Sequence, residues 1–204
     1  MSRPIALTVL LLGSLASSAP LTAQETRFTH ALARGATLSL SNIDGDVRVT
    51  PASGRTAEII ARKTVRKGNG ALVKAVMEES DDGIRVCTLY LDDTDDDRTS
   101  CTGRRGRNRS GYRDPLDVEM AYEVRLPEGA ALQVTTVDGA ITVRVPSGVG
   151  LDVSGSSVDG TFSSDFPLTT SGKWGPRQFR GTLGDGGPAL RLSTVDGAIR
   201  LQKR

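Results

Sequence analysis

Few residues in this 204-residue chain have types and spacings that could do chemistry. Four aspartates recur in one setting, Asp44, Asp138, Asp159 and Asp196, each followed by a glycine: Gly45, Gly139, Gly160 and Gly197. Lined up along one edge, such carboxylates could serve a glycoside hydrolase or a lyase. Turn chemistry accounts for them without catalysis, because glycine enters positive φ freely and aspartate tolerates it better than most residues. These eight residues are therefore assigned as structural turns.

Cys87 and Cys101 are the only cysteines. In an exported chain an even count at moderate spacing points to a disulfide, and two cysteines with one distant histidine do not make a zinc site. Asp93, Asp95 and Asp97 have the i, i+2, i+4 spacing of a calcium loop, but Arg98 stands where such a loop needs glycine and Arg104 where it needs glutamate. The run is better explained as solvated charge facing its own arginines. Arg104, Arg105, Arg107 and Arg109 could hold a polyanion, although the nearby aspartates neutralise much of their field. His30, the one histidine, could be a general base, yet no motif supplies it with a nucleophile or an acid. Trp174 could offer a sugar platform; in Trp174-Gly175-Pro176 it reads more simply as a packed turn. No phosphate-binding glycine loop is present. The sequence thus predicts no catalytic residue, no metal site and no cofactor.

The elements that hold the aspartates are repeated. Leu132 to Val145 reads LQVTTVDGAITVRV, Leu190 to Leu201 reads LRLSTVDGAIRL, Leu38 to Val49 reads LSLSNIDGDVRV, and a weaker copy, Leu151 to Phe162, reads LDVSGSSVDGTF. Period-two alternation puts Leu132, Val134 and Thr136 on one face before the turn, and Ile141, Val143 and Val145 on the same face after it. Fold class is therefore all-β. If each Asp-Gly closes a two-residue hairpin, the repeats form a β-meander or sandwich. If each makes a corner, strands pair with their counterparts in the next coil, as in a β-solenoid. Val158 follows Val137 by 21 residues and Val195 follows Val158 by 37, and a degenerate coil around Gly181-Thr182-Leu183-Gly184 would divide the longer gap. Coils of about twenty residues favour the solenoid, with the meander or sandwich as the alternative.

Met1 to Ala23 is predicted to be an export signal, with Arg3, a short apolar core from Ile5 to Leu15, and a cleavage site at Leu21-Thr22-Ala23. Residues 24–204 then form a single β-repeat domain. The apolar run is too short to span a membrane, and no later segment could cross one as a helix. Losing the signal removes only Arg3, so 26 basic side chains become 25 against 24 acidic ones. That balance offers no field for nucleic acid. Thr56 to Lys67 reads as a strand; the spacing of Ala71 to Glu79 fits a short helix or a strand, and the strand, as hairpin partner of Ile84 to Leu91, is favoured. Residues 92–114, rich in charge and nearly free of apolar side chains, read as a flexible surface loop. Alternation resumes at Leu116 to Leu126.

The T-V-D-G-x-I phrase at Thr136–Ile141 and Thr194–Ile199, with Asn42-Ile43-Asp44-Gly45-Asp46-Val47, resembles the putative-adhesin family of exported bacterial β-strand-repeat proteins, a domain of unknown function. Val86-Cys87-Thr88-Leu89-Tyr90 and the later Cys101 are similar to a feature of some members. The likeness spans roughly Thr37 to Lys203. Members often carry Asn or Ser where this chain has Asp before the turn glycine. The resemblance implies a right-handed β-helix-like fold and a role in surface attachment or envelope sensing, and it brings no catalytic residues.

The sequence therefore predicts an exported, non-enzymatic protein, periplasmic or at the cell surface, that meets an envelope or extracellular partner, protein or glycan. One alternative is a polysaccharide-active enzyme on a parallel β-helix. Another is a calcium- or anion-sensing envelope protein working through residues 92–113.

Overall fold

The structure, a computed structural model, describes residues 24–91, 100–102, 116–171 and 177–204. The predicted export signal, almost all of the charged 92–114 segment with its aspartate and arginine clusters, and Trp174 lie outside the described residues.

The first six strands are β1 (Gln24–Ala31), β2 (Thr37–Ser41), β3 (Val47–Ala52), β4 (Thr56–Lys67), β5 (Val73–Ser80) and β6 (Gly83–Tyr90). They are followed by β7 (Asp117–Pro127), β8 (Ala131–Asp138), β9 (Ile141–Val145), β10 (Leu151–Ser157) and β11 (Thr161–Ser164). The last four are β12 (Thr169–Ser171), β13 (Arg177–Leu183), β14 (Ala189–Asp196) and β15 (Ala198–Lys203). A single 3₁₀ turn, Gly70–Leu72, precedes β5, so the hairpin expected from Ala71 onward begins two residues late. Among the described residues there is no α-helix, and no helix is long and apolar enough to cross a membrane.

The strands form two mixed sheets. One has the order β1-β4-β7-β3-β9-β15-β11 and the other β12-β13-β10-β14-β8-β2-β6-β5. One contiguous core lies between them, from Leu38, Leu40, Val134 and Leu192 of the second sheet to Val47, Ile141, Ile199 and Leu201 of the first. The alternation read from the sequence is the alternation observed. Leu132, Val134, Thr136, Ile141, Val143 and Val145 are all buried, while Thr135 and Arg144 face out.

The strands on either side of each Asp-Gly lie in different sheets, so the dipeptide turns a corner and closes no hairpin. Like residues then sit side by side: Leu192 beside Val134, Leu40 beside Val134, Ile199 beside Ile141, Leu201 beside Val143. A regular solenoid is nevertheless not what the chain forms. Its units do not stack in chain order, antiparallel strands border both sheets, and the architecture is the two-sheet sandwich given as the alternative. The unit at Asp138 has as neighbours those at Asp44 and Asp196, not the one at Asp159 that follows it in sequence. The segment around Gly181-Leu183 is no degenerate coil either. It ends β13, which runs antiparallel to β10. Phe179 on that strand stacks on Phe162, ring centroids 4.0 Å apart, and fills the space left by Gly155, where an added Cβ would lie 2.3 Å from the Phe179 ring.

Candidate functional site

The eight turn residues converge on one edge of the sandwich. Backbone hydrogen bonds run from corner to corner: Asp138 N–H donates to Ile43 O (2.7 Å), Gly45 N–H to Asp138 O (3.0 Å), Gly139 N–H to Asp196 O (3.1 Å) and Asp159 N–H to Val195 O (2.8 Å). The corners therefore lie in the order 159, 196, 138, 44, one strand spacing of about 4.8 Å apart. Their glycines nearly touch: a Cβ at Gly139 would lie 2.4 Å from Gly45 O, and one at Gly197 would lie 2.2 Å from Gly139 O. Close approach, as much as positive φ, demands glycine here.

Inside the corner runs a row of polar residues, one from each unit. Ser157 pairs with Thr194 and Thr194 with Thr136, while Asn42 and Thr88 follow the paired Ser41 and Cys87. These five make up the buried polar set of the described residues. Through Thr136, Thr194 and Asn42 they give the corner carbonyls further hydrogen bonds from inside. Thr136 donates to Asp138 O and Thr194 to Asp196 O, both at 3.3 Å. The Asn42 amide serves the carbonyls of Asp44 (3.1 Å), Gly45 (3.0 Å) and Met120 (2.9 Å), and its oxygen accepts from the Thr88 hydroxyl (2.7 Å). With its one proton committed to Asn42, Thr88 accepts from the Tyr122 phenol at 2.8 Å. Burial holds the Tyr122 phenol well above its ordinary value. Ser157 Oγ alone in the row has no partner.

Outside the corner run two parallel rows. One is carboxylate: Asp138, Asp159 and Asp196 are exposed and Asp44 is half-buried. Burial, then the neighbouring Asp138 carboxylate, holds the Asp44 carboxyl above the usual range. The other row is aliphatic: Ile43, Val137, Val195 and Val158 are 38%, 39%, 43% and 42% exposed. The signal for this row was present in the sequence and passed unread. In each copy the residue before Asp-Gly is apolar at a position whose parity points outward.

The opposite edge of the sandwich is open. There the C-terminal ends of β3, β7 and β9 part from the N-terminal ends of β8, β10 and β14, leaving a cleft of about 910 Å³. Its floor is aliphatic, formed by the buried Val49, Leu132, Val143, Val145 and Leu190, its rim carries Ser53, Arg144 and Arg204, and no aromatic ring of the described residues lines it. At the rim the Glu58 carboxylate is held between Arg27 and Arg125, the latter at 3.2 Å. Nothing in the sequence marked this cleft, because its walls read as ordinary inward strand residues.

The remaining candidates lie apart from both edges. Cys87 and Cys101 form a disulfide, Cα atoms 5.8 Å apart, with Cys87 packed against Leu72, Leu89 and Leu91. Ser100 and the Cys101 amide both donate to Glu78, each at 3.0 Å. His30 lies on β1, with Nδ1 3.9 Å from Glu79 of the other sheet. Among the described residues no three His, Cys, Asp or Glu side chains are placed to hold a metal ion.

No family model matches this chain, and no curated protein matches it in sequence. A crystal structure from Clostridium sporogenes ATCC 15579, described as that of "a putative cell adhesion protein", is similar to it with a TM-score of 0.32 and 10% identity over 89% of this chain and 100% of that one. The family resemblance of the Thr-Val-Asp-Gly phrases thus rests on those motifs alone.

Proposed function

We propose that this is an exported, non-enzymatic interaction protein of the adhesin-like kind, which holds an envelope or extracellular partner by binding it. The observation that carries this reading is the cleft at the open edge. Protein interiors are close-packed, and a cleft of about 910 Å³ with an aliphatic floor and a polar rim has the size of a binding site. An aliphatic floor on which the described residues place no aromatic ring suits an apolar protein segment better than a glycan, whose rings stack on aromatic side chains. The groups nearest the cleft also favour binding over turnover. Glu58 is engaged by two guanidinium groups, which occupy its carboxylate oxygens. The disulfide fits an oxidising compartment and withholds both sulfurs from nucleophilic chemistry.

The test is to titrate the purified protein with short apolar peptides and with acidic and neutral polysaccharides, following binding and product together. Saturable peptide binding without product is expected. It should be lost in Val149→Arg, which places a charge at the half-buried mouth of the cleft, while the melting temperature holds. Product release from any polysaccharide, or peptide binding indifferent to Val149→Arg, would overturn the reading.

A further inference from the structure

The closed edge carries an inference independent of the cleft. Ile43, Val137, Val195 and Val158 account for four of the five large hydrophobic side chains exposed among the described residues, and they stand in one row. None of the four belongs to a core cluster. Threonine has the same branched shape and strand preference, and the chain uses it one position earlier, at Thr136 and Thr194, where the side chain is buried. The buried threonines serve the corner carbonyls, but no such task falls to the outward position, which keeps an aliphatic residue in every copy. Apolar residues gathered on a surface mark a contact.

The row beside it sets the sign of the partner. Asp159, Asp196 and Asp138 make no ion pair among the described residues, and beyond Asp44 the strip continues to Asp117 and Glu119, whose counter-ion is Arg66. The carboxylates do not converge, so a metal ion would not gather three of them. A linear cationic partner would meet them all.

Spacing sets its form. Successive corners are about 4.8 Å apart. An α-helix lying along the edge presents residues of one face about every 5.4 Å, whereas an extended strand presents them about every 6.7 Å. The four corners span about 14 Å, which a helix covers in about ten residues. We propose that the Asp-Gly edge is a docking surface for a basic amphipathic α-helix of a partner protein. Its apolar side chains pack along Ile43, Val137, Val195 and Val158, and its lysines or arginines meet Asp44, Asp138, Asp196 and Asp159.

The probe is a synthetic 14-residue leucine–lysine amphipathic helix, titrated into the full chain by fluorescence anisotropy in low salt, with a leucine–glutamate peptide of the same pattern as control. Saturable binding of the lysine peptide alone is expected. The double variant Asp138→Asn/Asp196→Asn should weaken it at least tenfold, and Val137→Thr/Val195→Thr at least fivefold. Both variants keep the corner shape, and their melting temperatures should match the parent. Changing Arg104, Arg105, Arg107 and Arg109 to Gln, which removes cations of the chain itself that could compete, should leave affinity equal or higher. No binding, equal binding of the glutamate peptide, or loss on the aspartate changes with none on the valine changes would each overturn the proposal. Val149→Arg should leave this binding intact, which separates it from the cleft.

Discussion

At Gly139 the backbone has φ +132°, and an added Cβ would lie 2.4 Å from the carbonyl oxygen of Gly45. At Gly197 the figures are +146° and 2.2 Å, from Gly139 O. Backbone strain and overpacking each cost about 1–3 kcal/mol, and here they fall on one residue. Gly139→Ala and Gly197→Ala are expected to lose about 3 kcal/mol or more by denaturant midpoint. Asp138→Asn, whose side chain makes no hydrogen bond that the turn needs, should stay within about 0.5 kcal/mol. Equal losses from all three would contradict the stacked-corner account. Asp44 gives a pH dependence with a defined sign. Its folded-state value lies above the ordinary 3.8, so folding favours the protonated form. That contribution is complete below the unfolded value and is lost as pH rises through the raised one. Asp44→Asn should therefore melt above the parent at pH 7, with the gap closing towards pH 3. A gap that does not change with pH would refute this.

The elements depend on the polar row at the corner as much as on the aliphatic core. Asn42 donates to carbonyls from β7 and from its own corner, and removing it takes a buried donor from each of them, although Asp44 O keeps its bond from the Met120 amide. Asn42→Ala should cost about 2–3 kcal/mol or more. At the other end of the row Ser157 buries a hydroxyl with no partner, so Ser157→Ala should be neutral or stabilise by up to about 1 kcal/mol. A large loss at Ser157 would show that its hydroxyl is satisfied after all. The disulfide joins β6 to residues 14 positions onward. Closing such a loop is worth up to about 3 kcal/mol in the chain-entropy model. Glu78 already anchors Ser100 and Cys101, so Cys87→Ala/Cys101→Ala should cost less, about 1–2 kcal/mol. An unchanged unfolding midpoint after reduction would contradict this.

For the whole molecule the cost of the design is topological. Asp44 bridges to Asp138 and Asp138 pairs with Asp196, so the central corners join residues far apart in the chain. Each such pairing requires a long loop to close before its contacts form, and all-β chains of this kind fold in milliseconds to seconds. Refolding from denaturant is expected in roughly seconds, slower still because the units stack out of chain order. Stopped-flow fluorescence tests this, and a sub-millisecond phase carrying the full amplitude would count against the topology.

The sequence by itself determined what is local. Period-two alternation placed Leu132, Val134, Ile141 and Val143 in the core, and the Asp-Gly dipeptides placed the turns, because side-chain parity and turn conformation depend only on near neighbours. Only the tertiary structure decided which unit stands beside which. The copies at Asp138 and Asp196 are so alike that either could stack on any other, and their spacing along the chain misled, pointing to Asp159 as the next neighbour of Asp138. The choice depends on what ends each stack: the antiparallel β13 against β10, and β4 against β7. Those decisions made a row of four exposed aliphatic residues and opened a cleft at the far edge. The outward parity of each aliphatic residue is legible in its own copy, but the row and the cleft come from strands brought together from distant parts of the chain.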